Sequence, residues 1–455
     1  MAQRRDSRAE KGAEDGVATI EGPPTAYPRG DSIFTERKLT HATNDMDTLV
    51  HLVKGSLGAG ILAMPLAFKN AGLAFGLVAT FFIGFICTHC IHALVETSHE
   101  LCKMMRLPSL SYGGTAEAAF LNGPRPLRMF GFTASVVVSS AVSIVAIGGC
   151  SVYVVFIASN VQQVVEQWTG THIEPRAYIA VVLLPIMVIC WIRNLKHLAP
   201  LSLISNVLII ISLAIVLYYV LRDLPPTSSR PDFTSVADLP AFFSTAVFAL
   251  EGIGVIMPLE NNMQDPQSFT GCFRVLNTAM SVVVTMYCAV GYFGYLKFGG
   301  ETSASITLNL PVEDALAQSS KLMVAVAVMC TYPLQMFVPV ELSWPPLSKR
   351  LRLHGVVWRG PFQPEHILRF SFVLCTGIIA LIVPSLDSLM GLIGAVCLST
   401  AGIILPAIIE TVYRYDKLGP FYWIFWKNLF IILFGLLGLT TGVWTSIESI
   451  LNPSP

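Results

Sequence analysis

The chain has 455 residues, 53% of them hydrophobic and only 13% charged, with 29 basic against 29 acidic side chains, whereas a soluble domain averages about 25% charged. Zero net charge excludes the basic surface of a nucleic-acid binder, the hydrophobicity excludes a disordered chain, and the shortage of charge excludes a soluble fold of this size. What remains is an all-α polytopic membrane protein embedded in a lipid bilayer.

Residues 1–47 hold 7 Lys/Arg and 9 Asp/Glu, while the other 408 residues share 42 charges. With Pro23, Pro24 and Pro28 and no apolar core, residues 1–45 read as a disordered cytosolic tail and not as a signal peptide. A helix needs about 20 mostly apolar residues to cross the hydrocarbon core. Such stretches lie at roughly 46–68, 73–97, 130–159, 177–195, 200–221, 240–262, 273–296, 321–343, 367–385, 388–411 and 424–447, which predicts eleven transmembrane helices. The third is drawn from a 37-residue charge-free run, Met129 to Val165, and reads as one long tilted helix. Between the fourth and fifth only Arg193–Pro200 intervenes. Residues 448–455 form a short tail.

Basic residues set the orientation. With the N-terminus in the cytosol, 22 Lys/Arg fall on the inside and 6 on the outside, and eleven spans then put the C-terminus outside or in a lumen. Eight of the ten cysteines lie within spans and none in an outside loop, so structural disulfides are not expected. Cys87-x-x-Cys90 with His89 and His92 lacks a second pair at zinc-site spacing, so no metal site is expected.

The first span contains Gly58-Ala-Gly60-Ile-Leu-Ala-Met-Pro65-Leu and the sixth Gly252-Ile-Gly254-Val-Ile-Met-Pro258-Leu. Each heads a group of five spans: 46–221 and 240–411, with 424–447 as an eleventh helix. An odd number of spans per group inverts the second copy, and paired Gly/Pro-interrupted spans point to a binding site. Gly and Pro break the helix and free backbone groups, which a bilayer tolerates only where a cavity or ligand satisfies them. Freed N–H groups suit a carboxylate and freed carbonyls an ammonium. An amino acid carries both.

Ionisable residues within spans are costly. Glu251 lies mid-span, directly before Gly252. His51 and Lys54 lie one turn apart just before the first break, and histidine is the side-chain type suited to exchanging a proton near neutrality. Glu341 and Glu410 lie near span ends, where they can reach the interface.

His51-Leu-Val-Lys54-Gly-Ser56-Leu-Gly58-Ala59-Gly60-Ile-Leu-Ala-Met-Pro65, with Phe68-Lys-Asn-Ala-Gly72, resembles the opening span of the proton-coupled amino acid transporters of the amino acid/auxin permease group. Phe248-Ala-Leu250-Glu251-Gly252-Ile-Gly254, followed by Pro258-Leu-Glu260-Asn261, is similar to the sixth span of the same family. The resemblance runs from about residue 40 to 450. It implies the five-plus-five inverted, leucine-transporter-like fold with helices 1 and 6 discontinuous. It also implies a substrate carboxylate held at Ser56, Gly58, Ala59 and Gly60, backbone groups and an aromatic gate from Phe248, Leu250, Gly252 and Gly254, and a proton carried by His51; the mid-span Glu251 is expected to support it by hydrogen-bonding the break. Glycine, alanine and proline are the implied cargo. Vertebrate members carry an outer disulfide between the loops after the third and seventh spans, but residues 160–176 and 297–320 contain no Cys here, which places the chain on an invertebrate-like branch.

The expected function is symport of small neutral amino acids with a proton by alternating access. No enzymatic motif and no cofactor are expected. A sodium-coupled carrier of the same fold is one alternative. An amino-acid sensor whose N-terminal tail engages a signalling partner is another. The membrane is the plasma membrane or a lysosomal or endosomal one.

Overall fold

In a bilayer every backbone N–H and C=O must be paired within its own segment, so apolar runs of this length become helices. The computed structural model describes Phe34, Arg37 and residues 42–56, 58–192, 195–250, 252–353 and 364–452. The first span is two helices, α1 (Asp45–Ser56) and α2 (Met64–Ala71), joined by a 3-10 turn over Ala59–Ala63 and bent by 43°. Then come α3 (Leu73–Met105), the short α4 (Tyr112–Leu121), α5 (Gly131–Thr169), α6 (Pro175–Ile189) and α7 (Leu195–Leu221). The sixth span is also split, into α8 (Leu239–Ala249) and α9 (Ile253–Asn261). After it lie α10 (Val275–Phe298), α11 (Ala315–Leu353) and α12 (Pro364–Ile382). The tenth span joins α13 (Leu386–Ile393) and α14 (Leu405–Tyr413) through a π-helical stretch, Gly394–Ile404, and α15 (Trp423–Leu451) closes the chain.

Among the described residues nine helices are long and apolar enough to span a membrane, or ten with the bent α1–α2 pair counted as one. Of the eleven expected spans, α6 alone falls short. Its 15 residues cover about 22 Å at 1.5 Å per residue, against a core of about 30 Å. Pro185 lies within it, and it stops at Ile189. The expected third span is a single helix of 39 residues.

α2 packs on α8, and α1 packs on α9. The first half of each broken helix therefore meets the second half of the other, and the two run antiparallel, as an inverted repeat requires. α10 lies along α2 and α3. α5 and α11 pack along each other, with α7 against α11 and α12 and α6 against α5. Glycines let these helices approach. A β-carbon on Gly291 would come within 2.5 Å of the Phe68 ring, and one on Gly294 within 2.5 Å of Pro65, the role small residues play between membrane helices.

The expected tail lies mostly outside the described residues, but its described parts dock on the bundle. Phe34 is buried. Arg37 pairs with Glu260 at 3.1 Å and donates to the Glu260 carbonyl at 2.9 Å and the Pro108 carbonyl at 2.7 Å. His99 meets the same Glu260 oxygen at 2.7 Å. The Thr43 amide donates to the Asn262 carbonyl and the Gln264 amide to the Thr43 carbonyl, both at 3.0 Å. The Ser268 hydroxyl donates to Asp45 at 2.5 Å. These contacts fasten the tail ends of α1 and α9 together. Glu410 departs from its expected interfacial role: it is buried and pairs with Lys427 at 2.9 Å, because α15 brings a cation to it before it can reach water. No disulfide joins any two described cysteines.

Candidate functional site

α1 stops at Ser56, and the next described residue, Gly58, has an extended backbone. The Ser56 carbonyl accepts the Gly58 N–H at 2.9 Å and also the buried Tyr287 hydroxyl from α10. The chain resumes a helix at Ala59. The N–H groups that open a helix have no partner within it, so Ala59 and Gly60 present donors at the positive end of a helix dipole. α8 runs in from the other direction and ends at Ala249, presenting carbonyls at a negative end. The two ends touch. A β-carbon on Gly60 would lie 2.7 Å from the Ala249 Cα and 2.9 Å from its carbonyl oxygen, a separation that only glycine permits. On the other half, α1 ends and α9 begins beside each other, with the Ser56 hydroxyl 3.3 Å from where a β-carbon on Gly252 would sit.

A cavity of about 60 Å³ opens between the breaks. A single water needs roughly 10–15 Å³ on that scale, so the space admits about four waters or a ligand of a few non-hydrogen atoms. The breaks supply one wall, with Ser56, Gly58, Ala59, Gly60, Phe248, Ala249, Gly252 and Gly254. The opposite wall comes from α5, through Val142, Val145, Ala146, Gly149 and Tyr153, and from α11, through Gln335 and Val338. The side-chain polar groups on these walls are the Ser56 hydroxyl, the Tyr153 hydroxyl and the Gln335 amide. No Asp, Glu, Lys, Arg or His lines the cavity among the described residues. The Ser56 Oγ is buried and unpartnered there.

Seven of the eight expected substrate residues thus meet in one cavity. The eighth, Leu250, faces a separate void of about 20 Å³ with Cys87, Leu398 and Gly402, behind the α8–α9 break and against the π-helical stretch. His51 is exposed on α1 and does not line the cavity. Glu251 lies outside the described residues. Tyr153, Gly149 and Gln335 were not anticipated. The signal available for Gln335 was its place as the one amide between Lys321 and Glu341 in an apolar span, since polar residues inside membranes are seldom idle.

The family pattern described as "Transmembrane amino acid transporter protein" matches residues 41–448. The chain belongs to this amino acid transporter family. It is 41% identical to the Drosophila melanogaster "Proton-coupled amino acid transporter-like protein pathetic", over 92% of this chain and 88% of that protein. It is 24% identical to the Caenorhabditis elegans "Probable amino acid transporter skat-1", over 96% of this chain and 94% of that one. These relatives are transporters and not enzymes. Among solved structures, the Eremococcus coleocola manganese transporter superposes with a TM-score of 0.54 at 11% identity, covering 94% of this chain and 91% of the other. The fold is the leucine-transporter-like one, and the protein is a multi-pass membrane amino acid transporter with two broken helices at its centre.

Proposed function

We propose that the protein carries small neutral amino acids together with a proton across its membrane by alternating access, with its N-terminus in the cytosol. One observation carries the reading. The cavity lies between the N-terminal end of a helix at Ala59 and the carbonyl end of α8, which bring backbone donors and acceptors to it, and it contains no ionised side chain among the described residues. A zwitterion satisfies both sets, while a net charge on the substrate's own side chain would meet no counter-ion among the described residues and would have to leave water at high cost. The carboxylate sits at Ser56, Gly58, Ala59 and Gly60. The ammonium faces the carbonyl end of α8 at Phe248, beneath the ring that expectation makes a gate. The small volume favours glycine-, alanine- and proline-sized cargo.

Proton coupling is favoured over sodium by the likeness to the relative described as proton-coupled. The proton is assigned to His51, with Glu251 in support. The test is uptake of labelled alanine or proline into proteoliposomes. Accumulation should follow an inward pH gradient. Uptake that ignores the pH gradient and follows sodium overturns the coupling, and preference for aspartate or lysine overturns the substrate class.

A further inference from the structure

The cavity has two unlike walls. The helix breaks hold backbone groups that suit an α-carboxylate and an α-ammonium, so the substrate's side chain is directed at the facing wall of α5 and α11. On α5, Val142, Ala146, Gly149 and Tyr153 recur every third or fourth residue and lie on one face, with bulk removed at Ala146 and Gly149. Opposite them stands Gln335 of α11. A β-carbon added to Gly149 would come to 3.5 Å from the Gln335 Nε2, so the amide reaches across to α5 over the space that the missing side chain leaves.

This amide makes no hydrogen bond to any described residue, and it is only partly buried. Val142, Val145, Ala146 and Val338 on the same wall offer it no polar partner, and neither the Tyr153 nor the Ser56 hydroxyl of the cavity is hydrogen-bonded to it. An amide has both a donor and an acceptor to satisfy, and a substrate that displaces water from the cavity without replacing its hydrogen bonds leaves them unmet at a cost. A Leu or Met would fill the same place on an apolar wall without that cost. The arrangement makes sense if the partner arrives with the substrate.

We propose that Gln335 is a specificity-determining residue, hydrogen-bonding a hydroxyl on the substrate's side chain, so that serine and threonine are cargo alongside alanine. The amide donates to a hydroxyl oxygen or accepts from its O–H, and rotation about its last bond serves either. The absence of a side chain on Gly149 lets the amide lie over α5, where it lines the cavity that receives the substrate side chain. This inference rests on the proposed amino acid site and refines its substrate class.

The test compares serine with 2-aminobutyrate, which replaces the hydroxyl by a methyl group of similar size. In wild-type proteoliposomes, serine should compete with labelled alanine at about three- to tenfold lower concentration than 2-aminobutyrate, the range of one ordinary hydrogen bond. Gln335→Met should erase that preference, bringing the ratio of the two half-inhibiting concentrations to about one. Equal potency of the two competitors on the wild type overturns the proposal, whether or not the variant folds. So does a Gln335→Met variant that keeps the serine preference. If no amino acid competes, the underlying site reading fails, and that outcome is distinct from equal competition.

Discussion

Gly60 is the residue on which the two helix breaks meet. Gly60→Ala places a β-carbon 2.7 Å from the Ala249 Cα and 2.9 Å from its oxygen. Ordinary contact begins near 3.4 Å, so the breaks must separate by roughly 0.5–0.7 Å, and both contacts are backbone that cannot rotate away. Overpacking of this kind costs about 1–3 kcal/mol, which is a factor of roughly 5–150 in an equilibrium. The donors of Ala59 and Gly60 and the carbonyls of α8 shift by the same amount, and a mismatch of this size is large for groups holding one small ligand. Gly254→Ala is the control. It adds the same methyl group on the same cavity, but nothing lies within 4 Å of that β-carbon. Uptake of labelled alanine at subsaturating concentration should fall at least tenfold in Gly60→Ala, with a lower melting temperature in detergent. Gly254→Ala should melt like the wild type and show at most a raised KM. Wild-type uptake and melting in Gly60→Ala would refute the claim that the breaks are in backbone contact.

Three further outcomes follow from the same structure. Arg37 and Glu260 have side chains only 3% and 1% exposed, so Glu260→Ala strands a buried guanidinium and should cost about 3–5 kcal/mol; a melting temperature unchanged from wild type sinks this. Gly394 lies so close to α8 that a β-carbon there would fall 2.0 Å from the Ser244 oxygen, so Gly394→Ala should lower the melting temperature by at least as much as Gly60→Ala, and a smaller drop contradicts the packing. On the far face, the Tyr219 hydroxyl, and then the Leu316 N–H at 2.9 Å, hold the Asp314 carboxyl below its ordinary range. A depressed carboxyl pKa stabilises fully above the unfolded value and loses that contribution as pH falls through the folded value. Tyr219→Phe should therefore flatten the acid limb of the melting-temperature profile, and superimposable profiles would count against it.

The breaks were legible because Gly and Pro are penalised in helices whatever surrounds them, so Gly58-x-Gly60 and Gly252-x-Gly254 announce themselves locally. The reason for Gly60 was not legible, since it lies in Ala249, far away in the chain and met only on folding. Gln335 and Tyr153 escaped for the same reason: one apolar span offers many faces, and only the packing of α5 against α11 chooses which face lines the cavity. The π-helical stretch Gly394–Ile404 carries no proline. Its extra turn-width is held from outside, by the Tyr112 hydroxyl on the Ala401 carbonyl at 2.7 Å and the Cys90 thiol on that of Ile403 at 3.8 Å. For His51 the periodicity was readable in part. Thr48, Leu52 and Ser56 are the buried stripe of α1, and His51 is one residue out of step with it.

That displacement bears on coupling. If His51 carries the proton, it does so without touching the substrate, because it is five residues, or about 7.5 Å of helix rise, before Ser56 and is exposed. Coupling between separate sites is a shared bias on a two-state element, typically 1–3 kcal/mol. α1 is suited to be that element. Its far end forms the cavity wall at Ser56, while its tail end is tied to the α9 side through Thr43, Asn262, Gln264, Asp45 and Ser268. A charge gained at His51 would alter how α1 sits against that anchorage and so bias which side the cavity opens to. His51→Ala should therefore abolish accumulation driven by a pH gradient and leave alanine-for-alanine exchange, which needs no net proton movement, within about threefold of wild type, a shift of under 1 kcal/mol. If exchange and accumulation fall together, His51 acts on binding or folding instead, and coupling through α1 is wrong.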